Sequence, residues 1–84
     1  MKFKINKVES TTNFNITTEL EIREDDDTLV YSGTMNFFTT NTDEESVQNE
    51  IKLGVQNKYN QIMNERNAKL KDVAQSLLNQ EMTI

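Results

Sequence analysis

Cysteine, histidine, proline and tryptophan are absent from this 84-residue chain, and glycine occurs twice. Without cysteine there is neither a disulfide framework nor a thiolate metal site. Without histidine the usual general base and the commonest imidazole ligand are missing. No run approaches the roughly 20 apolar residues that cross a bilayer, and the N-terminus alternates lysine with apolar residues where a signal peptide has an unbroken apolar core. A soluble protein with no membrane partner is therefore expected. The triplet Asn15-Ile16-Thr17 fits a glycosylation acceptor, but a chain with no secretory signal has no use for one.

Sites for chemistry are missing as well. There is no glycine-rich phosphate loop, no nucleophile with an adjacent base and no zinc ligand set. Asp25, Asp26 and Asp27 are consecutive, whereas a calcium loop spaces its ligands at alternate positions. The expectation is a protein with no enzymatic activity, no catalytic residue, no cofactor and no metal.

Charge is present and uneven. The net charge is -5, but residues 1–50 hold eleven acids and four bases (-7), while residues 51–84 hold three acids and five bases (+2). An acidic chain is a poor nucleic-acid binder, because clustered Lys and Arg supply most non-specific affinity for phosphates. Lys52, Lys58, Arg66, Lys69 and Lys71 are spread around the predicted helix, so no direct nucleic-acid partner is expected.

Hydrophobic periodicity predicts an α+β fold of one domain, 1–84, with a three-stranded antiparallel meander in the order 1-2-3 over 1–40 and one long C-terminal helix over 42–81. Met1, Phe3 and Ile5 alternate with polar residues, and Val8 falls out of phase, which predicts a bulge or the strand's end near Asn6 and Lys7. Phe14, Ile16, Thr18, Leu20 and Ile22 share one face of a second strand. Leu29, Tyr31, Gly33, Met35 and Phe37 share one face of a third, leaving Val30 and Phe38 outside as candidate contacts. A tight Asp25-Asp26 turn, with Glu24 opposite Asp27, sets Ile22 against Leu29, Leu20 against Tyr31, Thr18 against Gly33, Ile16 against Met35 and Phe14 against Phe37. A loop through Ser10-Thr11-Thr12-Asn13 sets Lys2 against Glu21 and Lys4 against Glu19. Gly33 marks a weak spot, a bulge or a close approach of the helix.

Thr42-Asp43-Glu44-Glu45 reads as a capping box, Thr42 bonding the amide of Glu45 while Asp43 and Glu44 meet the positive end of the helix dipole. Val47, Ile51, Val55, Tyr59, Ile62, Met63, Leu70, Val73 and Leu77 then lie in a stripe about 160° wide. A helix over 43–80 is about 57 Å long, against about 33 Å for a ten-residue strand. Either it breaks near residues 64–67 and folds back, or it stays straight and its second half projects. With no Gly or Pro there to stop it, the straight helix is favoured. Tyr59, Met63, Arg66, Leu70, Val73, Leu77, Gln80 and Ile84 follow steps of four and three, a heptad seam interrupted at Arg66 and Gln80. That seam can be the ordinary packing face of an amphipathic helix on its own sheet; exposed, with Leu78, it calls for a partner. Met63, Arg66, Leu70, Val73, Leu77 and Leu78 are the candidate partner-binding residues, the partner being a second copy in a homo-oligomer or another protein.

Over all 84 residues, the layout of a short Thr- and Asn-rich meander without cysteine followed by one long helix resembles the small proteins encoded by bacteriophages of Gram-positive bacteria. That resemblance implies a place in the host cytoplasm or the virion, and two functions. One is a non-enzymatic interaction or assembly module, a structural or accessory protein that self-associates through its C-terminal helix. The other is an acidic inhibitor of a host defence or nucleic-acid-binding protein, in which Glu19, Glu21, Glu24, Asp25, Asp26, Asp27, Asp43 and Glu44 imitate phosphates. In the first the working surface is apolar and helical; in the second it is anionic.

Overall fold

The computed structural model describes residues Met1–Ile84, in the order β1 (Lys2–Thr12), β2 (Asn15–Arg23), β3 (Leu29–Phe38) and α1 (Glu44–Ser76). The strands form one antiparallel sheet in the order β1-β2-β3, followed by a single unbroken helix. The α+β layout is the one expected from periodicity. Its core is Leu20, Ile22, Val30 and Phe37 from the sheet against Ile51 and Val55 from α1.

Pairing between β2 and β3 differs from the expected register by two residues, and the reason is local. The turn has three residues where two were expected: the Glu24 amide donates to the Thr28 carbonyl (2.8 Å), the Asp27 amide donates to the Glu24 carbonyl (3.0 Å), and Asp27 has φ 71°. A hairpin loop closed by a residue in the left-handed region is a common three-residue connection. Alone, the added residue would turn β3's apolar set toward water. A β-bulge restores the phase, since Arg23 faces Leu29 and Ile22 faces Tyr31 while Val30 is left without a partner. Two single insertions make an even shift, so Leu20 meets Gly33, Thr18 meets Met35 and Ile16 meets Phe37. The bulge also overturns the placement of Val30, which is 8% exposed in the core while Leu29 is 47% exposed.

The β1–β2 hairpin corrects its phase in the same way. Its turn is Asn13-Phe14, with φ 52° and 62°, and Thr12 pairs with Asn15. Two positive φ values match the twist of a two-residue hairpin. Phe14 therefore sits in the exposed turn and not opposite Phe37, and its carbonyl accepts the Thr39 amide at 3.0 Å. Register shifts between Ile5 and Lys7 and between Val8 and Ser10 leave Asn6 and Glu9 unpaired; the first lies where Val8 broke the alternation. Lys4 now faces Glu21, Lys7 faces Glu19, and Lys2 faces Arg23. That like-charged pair is relieved by partners elsewhere, Lys2 on the Asp27 carboxylate and Arg23 on Glu21 (3.3 Å) and the Asp27 carbonyl (2.9 Å).

The N-cap of α1 is Asp43, one residue past the expected Thr42; its carboxylate accepts the Ser46 amide at 2.9 Å. Asp is at least as good a cap as Thr, and the shift leaves Glu44 and Glu45 in the first turn. The backbone's close approach occurs at Gly54 and not at Gly33, because a Cβ on Gly54 would lie 2.7 Å from the Phe37 ring. Gly33 instead makes room for Tyr31, whose hydroxyl crosses over it to donate to the Thr34 carbonyl at 3.0 Å.

Candidate functional site

The sheet supports α1 only as far as Met63. Val47, Tyr59, Ile62 and Met63 are half-buried beside Ile51 and Val55, and every residue from Asn64 onward is exposed. Two bonds fix the helix where it leaves the sheet. The Tyr59 hydroxyl donates to the Glu24 carboxylate at 3.0 Å, and Arg66 Nη2 donates to the Val30 carbonyl at 3.3 Å. The second bond holds the Arg66 guanidinium against its own sheet, so the polar interruption of the seam is a brace.

Residues 67–76 continue the helix about 15 Å past this brace. Of the predicted partner-binding residues, Met63 and Arg66 sit at the edge of the sheet, and Leu70, Val73 and Leu77 lie on the projecting segment with 42% to 64% exposure. Leu78, 75% exposed, lies just past the helix end: α1 stops at Ser76, short of the expected residue 81, because Asn79 turns the chain with φ 64°, and the seam positions Gln80 and Ile84 fall outside the helix. The structure thus brings Leu70, Val73 and Leu77 into one open apolar row continuous with the buried face.

The acidic residues are dispersed among separate partners. The N-terminal ammonium bonds Asp25 at 2.8 Å, the Thr28 amide donates to Asp26 at 3.0 Å, and the Lys2 ammonium sits on Asp27. Each contact holds its carboxyl below the usual aspartate range. The Ser46 amide does the same for Asp43, and Gln48 bonds Glu44 at 3.3 Å. Glu24, by accepting from Tyr59, pushes that phenol above its ordinary value. Glu21 holds Arg23, and Glu19 faces Lys7 across the sheet. No three carboxylates converge as a metal site requires, and no helix is long and apolar enough to cross a membrane.

A feature that periodicity did not reveal runs between α1 and β1. Two adjoining hollows of 350 and 420 Å³ share Phe3 and Lys52; Ile5, Gln48 and Ile51 line one, and Met1, Lys2 and Gln56 line the other. Their apolar wall is half-buried because the helix packs chiefly against β3 and leaves the β1 side partly open. Single-strand patterns carry no signal for this, since the lateral position of a helix over a sheet is a tertiary property. Among known protein families, curated proteins and solved structures, no match to this chain was found.

Proposed function

We propose that this protein is a non-enzymatic assembly module, in the manner of a small phage structural or accessory protein, that self-associates through the C-terminal half of α1. One observation carries this reading: Leu70, Val73 and Leu77 form an apolar row on a helix segment that nothing in its own chain covers. Burial of apolar area is the main driving force of association, and such a row on a rigid rod is a ready seam. The acids have turn, ion-pair and capping partners within the chain, so they need no outside ligand to account for them. The test is light scattering across a range of concentrations. A dimer or larger species is expected for the parent chain, and a monomer with unchanged helicity for Leu70→Glu with Leu77→Glu. A parent chain that stays monomeric at every concentration rejects the reading.

A further inference from the structure

The seam does not begin at Tyr59. Continuing its steps of four and three backward along α1 reaches Gln56 and Lys52, which line the hollows beside β1. The open apolar row and the α1–β1 groove are therefore two ends of one side of the same helix.

Interface size decides what fits there. Two projecting segments laid only on each other would touch over about 15 Å, a footprint on the order of 150 Å² for rods about 10 Å wide. A standard interface buries about 800 Å² per partner, and tail-on-tail contact falls short of it by the widest margin. An antiparallel overlap of residues 52–77 extends about 39 Å and more than doubles that footprint, before the groove wall on β1 adds Met1 and Phe3.

We infer that the groove between α1 and β1 receives the projecting end of α1 from a second copy, the two helices running antiparallel about a twofold axis between Met63 and Arg66; this rests on the assembly reading above. The alternating pattern sets the register. Leu77 of each copy stacks on Lys52 of the other, Val73 on Gln56, Leu70 on Tyr59, and Met63 on the aliphatic stem of Arg66. Such a contact is isologous, closing at two copies with Leu70, Val73 and Leu77 covered. Lys52 and Arg66 contribute methylene stems to these layers, and Arg66 directs its charge to the Val30 carbonyl.

The absence of cysteine makes the test direct. A disulfide needs Cα atoms within about 7 Å. In this register Val73 of one copy lies beside Gln56 of the other, and the two Val73 residues are about 25 Å apart, as are Gln56 and Val73 within one helix. Mild oxidation should therefore convert the double variant Gln56→Cys with Val73→Cys largely to covalent dimer, while Val73→Cys alone stays uncrosslinked; both positions are exposed, and circular dichroism confirms that each variant is folded. A Val73→Cys dimer that crosslinks to itself, or a dimer by light scattering in which the double variant fails to crosslink, overturns the antiparallel groove and leaves the assembly reading standing. A parent chain that is monomeric throughout overturns both.

Discussion

Single side chains set how closely the helix meets the sheet, and Gly54 is the sharpest case. A helix-interior glycine ordinarily costs about 1 kcal/mol relative to alanine, so Gly54→Ala would be stabilising on propensity alone. The Phe37 ring lies 2.7 Å from where that methyl would go, and it is buried. Overpacking of this kind costs about 1–3 kcal/mol, so the variant should lose about 1 kcal/mol net in urea unfolding. A raised midpoint would mean that Phe37 yields without cost. Tyr59 ties stability to pH. Its bond to Glu24 raises the phenol's pKa, so the stabilisation is complete below the unfolded tyrosine value of about 10. It is lost as pH rises through the higher folded value. Tyr59→Phe should therefore melt below the parent at neutral pH, and the gap between the two should close in strong alkali.

At the scale of elements, the lesson is that two small irregularities cancel. The three-residue turn at Asp25-Asp26-Asp27 and the bulge at Val30 each insert one residue, and together they leave the faces of β3 unchanged from Tyr31 onward while moving every pair there by two. Their separate signature is the exchange of Leu29 and Val30 between surface and core. Val30→Ser should cost about 2 kcal/mol, from lost burial and a hydroxyl placed among apolar groups. Leu29→Ser should change stability by about 0.5 kcal/mol at most. Chemical denaturation of the two variants decides it, since a reversed order would restore the two-residue turn. The N-cap obeys a similar local competition, in which Asp43 takes the role open to Thr42 and both acids that follow still face the positive end of the dipole.

For the whole molecule, shape is the main fact. The radius of gyration is 17.7 Å and the long axis 59 Å, whereas a compact chain of this length has a radius of about 12 Å. Only eight of 84 residues are buried, and a core so small supplies little margin. Association through the projecting half would add apolar burial the single chain lacks. The melting temperature should then rise with protein concentration, and Leu70→Glu with Leu77→Glu should remove that dependence while leaving the dilute-limit melting temperature unchanged. The charge asymmetry is also resolved at this scale: much of the N-terminal acidity is spent on Met1, Lys2, Arg23 and Tyr59.

The strand count, their order, the inward set Ile16, Thr18, Leu20 and Ile22, and the single long helix were all legible in the sequence, because alternation and helical phase are local periodicities that burial enforces. So was the apolar row Leu70, Val73 and Leu77, but that it stands uncovered was decided by the unbroken helix, since a break near residues 64–67 would have folded it back. Register, the Val30 bulge, the Tyr59 and Arg66 braces and the groove beside β1 belong to the tertiary structure alone. Periodicity fixes which face a side chain takes but is blind to even shifts along a strand, and the side on which a helix settles depends on how rings such as Phe37 and Tyr31 pack beneath it.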